Sequence, residues 1–438
     1  MTIDRRALIA GAAAAAGAVL AAPALARVKA SASFPKGFLW GAATSGHQVE
    51  GNNNNSDLWL LENVKPTLFS EPSGDADNSL LLWPKDLDLV KQIGLNSYRF
   101  SLEWARIEPE PGMFSIAMLD LYKAMIDGCR ARGLHPLVTF NHYAAPRWFA
   151  SRGGWLNPEA PALFGKFCDR AMRHLGAGVS HAMTLNEPNI MTMLKFVLPP
   201  QAMPALAAMI DSAARVLGVE KLAVANATKP EDLPALNASL LAAHRAGKAA
   251  IKAIRPDLPV GMTIAMFDDE AVGDPARRDT MRKELYGMWL DAARDDDFVG
   301  VQNYERVRWG PEGRVPPPQG AELTQGGGEI YAPSLANACR YAHERAKVPI
   351  IVTEHGVSAT DDTIRARLIP AALKSLREAM AAGLPVQGYV HWSLLDNFEW
   401  VAGYKFQHGL VAVDRTTFKR TPKPSAAVYG AIARRNAL

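Results

Sequence analysis

Short apolar segments alternate with longer amphipathic segments along almost the whole chain. Eight of the short segments are rich in β-branched, aromatic and small apolar residues, and turn residues bound each of them. They are Phe38–Ser45, Ser97–Trp104, Pro136–Tyr143, Ser180–Glu187, Pro259–Phe267, Phe298–Tyr304, Pro349–Glu354 and Gln387–Leu395. Because helical periodicity occupies the intervals between them, the pattern predicts strands that alternate with helices.

The interval Ser115–Gly133 shows the helical pattern plainly. Apolar side chains from Met118 to Cys129 recur at the spacing that places them on one face of a helix. The serine at the start of this interval is suited to cap the helix, and the glycine at its end is suited to stop it. The polar tract Asn52–Asn55 has no such periodicity and is expected to be a surface loop.

Alternating strands and helices predict parallel strand pairing, because each crossover has to bury a helix against the sheet. Eight such units favour a single closed (β/α)8 TIM barrel of the α/β class. The alternative, a doubly wound sheet, lacks its Gly-x-Gly-x-x-Gly motif after a strand. Gly326–Gly328 follows a polar loop and is predicted to be a turn. The alanine-rich segment Pro204–Ile254 predicts two or three helices outside the barrel.

Composition mainly excludes some classes of protein. Hydrophobic residues make up 48% and charged residues 21% of the 438 residues, as in an ordinary globular protein. Length alone suggests about three domains at ~150 residues each, whereas one barrel accounts for the whole pattern. The net charge of +4 is too weak and too dispersed for a nucleic-acid-binding protein.

Cysteine and histidine usage gives no sign of a disulfide or metal framework. The 3 cysteines, an odd number at wide spacing, exclude a disulfide scaffold and a cysteine-rich zinc module. Cys129, Cys168 and Cys339 each fall in a predicted helix, where we expect them to be core residues. His343-Glu344 lacks the second histidine that a helical zinc motif requires, so no metal site is predicted.

Residues 1–26 differ in character from the rest of the chain. A charged start, an Ala- and Gly-rich apolar run and the sequence Ala24-Leu25-Ala26 together predict a secretory signal peptide. Arg5-Arg6, followed by one residue and two apolar ones, favours the twin-arginine export machinery over a Sec signal or an uncleaved anchor. We therefore expect a periplasmic or secreted protein whose residues 27–438 form the barrel, with no stable membrane insertion.

Polar residues cluster at the predicted carboxyl ends of the strands, which is where the loops of a (β/α)8 barrel build an active site. These residues are His47, Gln48, Glu50, Arg99, Glu103, Asn141, His142, Asn186, Glu187, Gln302, Asn303, Tyr304, Thr353, Glu354, His355, His391 and Trp392. The fourth and seventh strands end in Glu187 and Glu354. Two carboxyls at one barrel mouth suit glycoside cleavage, with one as the acid and the other as the nucleophile or the base that activates water.

Three motifs at these strand ends closely resemble the signatures of glycoside hydrolase family 1, the β-glucosidase family. They are TLNEP (Thr184–Pro188), VTEHG (Val352–Gly356) and HWSLLDNFEW (His391–Trp400). The resemblance extends over nearly the whole chain, from FPKGFLWGAATS (Phe34–Ser45) to RTPK (Arg420–Lys423). It implies a retaining double-displacement mechanism on a (β/α)8 barrel, without a metal or organic cofactor.

The resemblance implies a role for each matching residue near the reacting bond. Glu187 stands at the family's acid/base position and Glu354 at its nucleophile position, and a retaining pair is about 5–5.5 Å apart. Arg99 matches an arginine beside the nucleophile, where its charge favours the ionised carboxylate. Tyr304 matches the tyrosine that hydrogen-bonds and orients the nucleophile. Asn186 matches the residue that contacts the sugar 2-hydroxyl.

The family's subsite for the non-reducing sugar is matched as well. The residues at its hydroxyl-binding positions are Gln48, His142, Glu399 and Trp400. Among these, Gln48 and Glu399 are expected to accept hydrogen bonds from the 3-, 4- and 6-hydroxyls. Trp392 matches the indole that forms the floor of the subsite and presents an apolar face to the sugar.

Several residues depart from the family pattern. Tyr143 follows the third-strand histidine where tryptophan is usual, Gln302 stands where asparagine is usual, and His408 lies in a segment that is commonly Arg-Phe-Gly-Leu. His355 replaces an asparagine after the nucleophile. It either tunes the nucleophile by its charge or is a loop residue that satisfies backbone groups, and we favour the loop role. These departures bear on the preferred sugar and aglycone, and they leave the mechanism in place.

The sequence therefore predicts an O-glycosyl hydrolase: an exported, retaining β-glycosidase whose substrate is a β-glycoside. The favoured activity is that of a β-glucosidase on terminal non-reducing β-D-glucosyl residues of oligosaccharides or glycoconjugates. A transglycosylase and a β-galactosidase or β-fucosidase use the same carboxylates and are the alternatives. A non-catalytic sugar-binding protein is disfavoured because both carboxylates are present, and a phosphorylated sugar because Glu399 would repel its phosphate.

Overall fold

The apolar segments form the strands of a closed barrel. A computed structural model describes residues 33–199 and 201–438 of the chain. The barrel strands are β1 (Leu39–Ala43), β2 (Ser97–Ser101), β3 (His135–Asn141), β4 (His181–Asn186), β5 (Val260–Ala265), β6 (Val299–Asn303), β7 (Ile350–His355) and β8 (Val386–Trp392). Nearly every residue in them is buried, because a parallel strand between the barrel interior and the surrounding helices has no face in water.

The strands pair in parallel in the order of the sequence, and β8 closes the barrel against β1. In the closing register Leu39 lies opposite Gly388, and Ala43 lies opposite Trp392. All carboxyl ends therefore meet at one mouth of the barrel. The predicted single (β/α)8 TIM barrel is confirmed.

Some strands end earlier than the apolar pattern predicts. The strand β2 ends at Ser101 because a short helix, Trp104–Ile107, begins soon afterwards. The strand β3 ends at Asn141, since Tyr143 has a φ of 69°, in the left-handed region that no strand residue adopts. The chemistry-bearing side chains consequently lie at and just beyond the strand ends, where the backbone turns.

Helices surround the barrel and connect its strands. They are α1 (Ser79–Ile93), α2 (Ile116–Ala131), α3 (Ala160–Leu175), α4 (Leu233–Ile254), α5 (Ala276–Ala292), α6 (Ser334–Ala346), α7 (Asp362–Ala381) and α8 (Pro424–Arg435). The predicted cap of α2 is confirmed, because the Ser115 hydroxyl accepts a hydrogen bond from the Met118 amide at 3.2 Å. Gly133, with a φ of 70°, follows the helix as the predicted stop.

Shorter elements lie in the loops. The helical ones are Gly46–Val49, Asp57–Asn63, Trp104–Ile107, Arg147–Ala150, Ile190–Val197, Ala202–Leu217, Pro230–Asp232, Ala293–Asp295 and Trp400–Ala402. The strands are Asp268–Ala271, Arg306–Gly310, Gly313–Val315, Val411–Val413 and Arg420–Pro422. The helix Ala202–Leu217, the turn Pro230–Asp232 and α4 account for the helices predicted in the alanine-rich segment. Gly327, with a φ of 83°, lies in the predicted turn.

The three cysteines lie in the core between the helices and the barrel. Cys129, Cys168 and Cys339 are each 0% exposed, which confirms their predicted placement. Burial raises the pKa of each thiol, because an anionic thiolate loses its hydration in an apolar environment. At neutral pH these cysteines are therefore apolar packing groups.

The predicted signal segment, residues 1–26, lies outside the described residues. The described residues belong to one compact unit. Within this part of the chain, none of the helices combines the length and the apolar character that crossing a bilayer requires.

Two glycines test how tightly the barrel is packed. A Cβ on Gly261, in β5, would lie 2.3 Å from the Phe298 carbonyl oxygen, which belongs to backbone that cannot move aside. We expect Gly261→Ala to lower the free energy of unfolding by about 1–3 kcal/mol, measured by denaturant and thermal unfolding. Gly287→Ala in α5 is the matched control, because its Cβ would meet only Lys283 Cγ at 3.6 Å. Helix propensity then favours alanine by about 0.5–1 kcal/mol, and equal stabilities of the two variants would contradict this account.

Candidate active site

Glu354, on β7, is held by two hydrogen bonds at the mouth of the barrel. The Arg99 guanidinium on β2 donates to its Oε1 at 2.6 Å, and the Tyr304 hydroxyl just after β6 donates to its Oε2 at 2.6 Å. The residue is only 4% exposed. Since each oxygen of the carboxyl has its own donor, the side chain is held in one orientation.

Arg99 also binds groups on the neighbouring strands. Its Nε donates to Thr139 Oγ1 at 3.1 Å, and its Nη2 donates to Asn186 Oδ1 at 2.6 Å. Nη1 donates a longer bond to the Thr353 carbonyl oxygen at 3.3 Å. The arginine is 0% exposed, so these contacts replace the water that its charge would otherwise bind. One guanidinium thus joins β2 to β3, β4 and β7.

Glu187 follows β4 at the point where the backbone leaves the barrel. Its φ is 41°, and its amide donates to the Thr263 carbonyl oxygen on β5 at 2.9 Å. A left-handed backbone is uncommon for a residue other than glycine and persists only where the surroundings impose it. The Oε2 of Glu187 accepts a hydrogen bond from the Tyr143 hydroxyl. Glu187 is 8% exposed, so this bond is largely shielded from water.

The two carboxyls have different electrostatic surroundings. Burial raises the pKa of Glu187 to about 8, and the negative charge of Glu354 adds to this, while Tyr143 and Arg99 oppose it. Burial also raises the pKa of Glu354, but Arg99 and Tyr304 oppose that increase through direct contacts. Because Arg99 contacts Glu354 and has no hydrogen bond to Glu187, Glu354 is the first of the two to lose its proton. At neutral pH the surroundings favour an ionised Glu354 beside a protonated Glu187.

The side-chain amide of Asn186 is oriented by donors on three strands. Besides the bond from Arg99, its Oδ1 accepts from Gln302 Nε2 at 2.9 Å and from Thr263 Oγ1 at 3.1 Å. These three bonds fix the orientation of the amide, because its oxygen accepts only from protein donors. The other end, Nδ2, is buried and has no hydrogen-bond partner among the described residues. It is therefore a donor that a ligand can use.

Aromatic side chains at the end of β8 and in the loops after β3 and β8 form a wall beside the carboxyls. The His142 ring stacks on Trp392 with centroids 5.6 Å apart, and on Trp400 with centroids 6.1 Å apart. The Trp392 indole donates to Glu399 Oε1 at 3.3 Å. Burial raises the pKa of Glu399 to about 8, and this bond opposes the increase. The wall thus combines flat apolar surface with a carboxyl group, as a sugar ring requires.

Gln48 and His142 add polar atoms that the protein leaves unbonded. Gln48 Nε2 donates to the Phe398 carbonyl oxygen at 2.7 Å and to Asn397 Oδ1 at 3.1 Å. Gln48 Oε1 and His142 Nδ1 are buried and have no hydrogen-bond partner in the described part of the chain. Burial and the charge of Arg99 lower the pKa of His142 well below its usual value, so its neutral ring offers one donor and one acceptor. Buried polar atoms without partners are uncommon, which makes them candidate ligand contacts.

Every residue that the family resemblance places in the site lies at this mouth, whereas two other strand-end carboxylates, Glu50 and Glu103, are bonded to other protein groups. Glu50 bonds Arg106 at 2.8 Å and the Tyr122 hydroxyl at 2.9 Å. Glu103 Oε2 accepts from Asn53 Nδ2 at 2.6 Å. Asn53 is only 2% exposed, so the expectation of a surface loop was wrong at this residue. Among the described residues, no three His, Cys, Asp or Glu side chains are grouped to hold a metal ion.

His355 has neither of the two roles considered from the sequence. It is the last residue of β7 rather than a loop residue, and its Nδ1 lies 2.8 Å from the Tyr389 hydroxyl. Burial lowers its pKa to about 3. The neutral ring therefore brings no charge to the neighbouring Glu354, and its bond is to a side chain rather than to the backbone.

Three residues of the site carry little or no signal in the sequence. Tyr143 is a departure from the family pattern, Gln302 is a departure that also belongs to the polar strand ends, and Thr263 is an ordinary strand residue. The structure places all three against Glu187 or Asn186. The usable signal is the position of Tyr143 directly after His142, which matches a sugar-binding position of the family, because an exchange at such a place changes the surroundings of the site.

Comparison with known proteins finds similarity to glycoside hydrolases along nearly the whole chain. A family model for glycosyl hydrolase family 1 matches residues 30–237 and 320–438, and Tyr304 lies in the unmatched interval. The chain is 30% identical to a β-glucosidase of Agrobacterium sp. (strain ATCC 21400), over 92% of this chain and 96% of that protein. It is also 30% identical to the thermostable β-glucosidase B of Thermobispora bispora, over 93% of this chain and 92% of that protein.

A solved structure extends the comparison to the fold. The crystal structure of the β-glycosidase BGL167 superimposes with a TM-score of 0.86 at 45% identity, covering 92% of this chain and 98% of that one. The family match includes both strand ends that carry the paired carboxyls. Because the relatives also align over nearly their full length, this chain belongs to glycosyl hydrolase family 1.

Proposed function

We propose that this chain is a retaining β-glycosidase that acts as a β-glucosidase on terminal non-reducing β-D-glucosyl residues of oligosaccharides or glycoconjugates. The observation that carries the proposal is the different bonding of two buried carboxyls at one barrel mouth. Arg99 bonds Glu354, whereas Tyr143 bonds Glu187. A retaining mechanism needs one ionised nucleophile and one protonated acid. The β-glucosidase relatives support the choice of sugar.

In the first step the Glu354 carboxylate attacks the anomeric carbon of the bound glycoside. The bond between that carbon and the glycosidic oxygen breaks, and the leaving oxygen takes the proton of Glu187. The product is a glycosyl ester on Glu354. Arg99 and Tyr304 hold the attacking carboxylate in one orientation, which reduces the entropy lost in reaching the transition state.

In the second step a water molecule replaces the aglycone. Glu187, now a carboxylate, takes a proton from the water while the water oxygen attacks the anomeric carbon. The ester bond to Glu354 breaks, and the sugar leaves with its original anomeric configuration. Both carboxyls return to their starting protonation states, so the cycle needs no other proton donor.

The unbonded polar atoms support sugar binding at the same mouth. Asn186 Nδ2 donates to the 2-hydroxyl, Gln48 Oε1 and Glu399 accept from other hydroxyls, and His142 supplies a further contact. A hydrogen bond to the 2-hydroxyl strengthens in the transition state and so lowers the barrier. The Trp392 indole lies beneath the apolar C–H face of the sugar.

We further propose that the chain is exported by the twin-arginine machinery to the periplasm or the medium. The sequence at residues 1–26, with Arg5-Arg6 before its apolar run, supports this. That route carries folded proteins, and a chain whose cysteines are all packing groups needs no disulfide formation after export. The working location would then be one where oligosaccharides arrive from outside the cell.

Removal of each carboxyl should give a different stereochemical result with azide. Glu354→Ala should lower turnover of aryl β-glucosides by about 10⁴-fold or more because no ester can form, and azide should then yield the α-glucosyl azide. Glu187→Ala should lose most activity on poor leaving groups, and azide should yield the β-glucosyl azide from the ester. Product NMR reads the anomer. The same anomer from both variants would overturn the proposed mechanism. Faster hydrolysis of galactosides or fucosides than of glucosides would overturn only the proposed preference for glucose.

The pH dependence of kcat/KM should be bell-shaped. Activity should fall as pH rises through the pKa of Glu187, about 8, because the acid loses its proton. It should fall at low pH as Glu354 becomes protonated, since the nucleophile must be ionised. Glu187→Gln should remove the fall in activity at high pH, here called the basic limb, when it is measured on a substrate with a good leaving group. Glu399→Gln is the control, because Glu399 also has a pKa of about 8, and loss of the limb in that variant would reassign it.

Replacement of the arginine pair tests export. Arg5→Lys together with Arg6→Lys should leave the hydrolase inside the cells, because the twin-arginine receptor requires the pair. Activity measured in cytoplasmic, periplasmic and medium fractions gives the readout. Arg27→Lys, a like exchange just beyond the predicted signal, should leave the distribution unchanged. If the double variant reaches the periplasm as efficiently as the original chain, this route is excluded.

A further inference from the structure

Tyr143 makes a direct contact with Glu187 that the family pattern does not imply. Its hydroxyl donates to Oε2 of the carboxyl, and no other side chain in the described part of the chain hydrogen-bonds this group. Tyr143 is 8% exposed, like its partner. A hydrogen bond to a carboxyl in such a shielded place is strong, because little water competes for either group.

The surroundings of Tyr143 determine where its hydroxyl points. The residue follows His142 with a left-handed backbone, and its ring meets the Trp400 ring edge-on at 5.1 Å and 72°. The His142 ring also meets the Tyr143 ring edge-on, at 5.2 Å and 88°. A left-handed conformation costs an aromatic residue free energy, so the surrounding contacts must hold it. The tyrosine is thus a fixed donor aimed at Glu187.

The charged and titratable groups that face this pair come from three other elements. Arg99 on β2 and Glu354 on β7 act on Glu187 through space, and Tyr304 after β6 lies within the field of both carboxyls. Tyr143 alone among them contacts the Glu187 carboxyl. It is also absent from the contacts that hold Glu354. Loss of its hydroxyl should therefore change the acid and leave the nucleophile as it is.

We propose that Tyr143 is a positioning residue for Glu187: its hydroxyl holds Oε2, leaves Oε1 for the glycosidic oxygen, and stabilises the carboxylate left after proton transfer. The inference rests on the proposed function, because it takes Glu187 as the acid/base. A bond to a charged acceptor is stronger than one to a neutral acceptor, so the contact gains strength during the first step. In the second step it keeps the carboxylate oriented toward the water.

The electrostatics of the site support the same role. Burial and the charge of Glu354 raise the pKa of Glu187, and the Tyr143 hydrogen bond lowers it more than the charge of Arg99 does. An acid/base works best when its pKa lies near the working pH. The hydroxyl therefore limits how far a buried carboxyl moves from that range.

Tyr143→Phe is the test, measured by the pH profile and by the separate kinetic constants. We expect the basic limb of kcat/KM to move up by about one pH unit, because the carboxylate loses a hydrogen bond. On aryl glucosides with good leaving groups, kcat and KM should fall together by about tenfold, since the ester accumulates when its hydrolysis slows. 3-Fluorotyrosine at position 143, a stronger donor, should move the limb below its original position.

Tyr286→Phe is the matched control. It removes the hydroxyl of a second buried tyrosine, which lies away from the paired carboxyls and accepts a hydrogen bond from the Phe267 amide at 3.0 Å. We expect its basic limb to stay in place whatever its effect on the thermal midpoint. If Tyr143 acted through packing alone, its exchange would lower stability, and the basic limb would not move in opposite directions with phenylalanine and 3-fluorotyrosine.

The outcomes separate the two proposals. A basic limb that does not move in Tyr143→Phe, with equal losses on all substrates, would overturn the positioning role. A basic limb that persists unchanged in Glu187→Gln would instead overturn the assignment of Glu187 as the acid. If Glu187→Gln removes the limb and the two Tyr143 exchanges move it in opposite directions, both proposals are supported.

Discussion

A single buried positive charge organises the centre of this barrel. Arg99 is 0% exposed, and removing a guanidinium from water is costly unless a counter-charge and further acceptors replace its hydration. Glu354 supplies the counter-charge, and Asn186, Thr139 and the Thr353 carbonyl supply the further acceptors. These groups come from β3, β4 and β7. The arginine is satisfied only when the barrel closes in register, and closure in register also builds the site.

The charge of Arg99 also gives the two carboxyls of the site different protonation states. It contacts Glu354 and favours its ionised form, while Glu187, bonded to a neutral hydroxyl and exposed to the charge of its partner, keeps its proton to about pH 8. Glycoside cleavage by two carboxyls depends on this difference. The aromatic wall of His142, Trp392 and Trp400 contributes shape and low polarity, which strengthen each electrostatic contact at the mouth.

The barrel and the motif residues could be predicted because their signals are local. Apolar periodicity reports burial along one segment, and a capping serine such as Ser115 acts within a few residues of itself. The errors arose where a distant partner decides the outcome. Asn53 lies in a loop, as expected, but its side chain bonds Glu103 and is buried rather than exposed at the surface. His355 looked like a loop residue and instead ends β7, because strand pairing with β6 and β8 extends to it.

By itself the sequence determined the alternation of strands and helices, the barrel and the two carboxyls that stand at strand ends. Only the tertiary structure decided which of those carboxyls is ionised and which donor holds the other. Arg99 lies 255 positions from Glu354, and Tyr143 lies 44 positions from Glu187. No local pattern contains such pairs. A pKa depends on burial and on the charges within a few ångströms, and the folded barrel alone sets both.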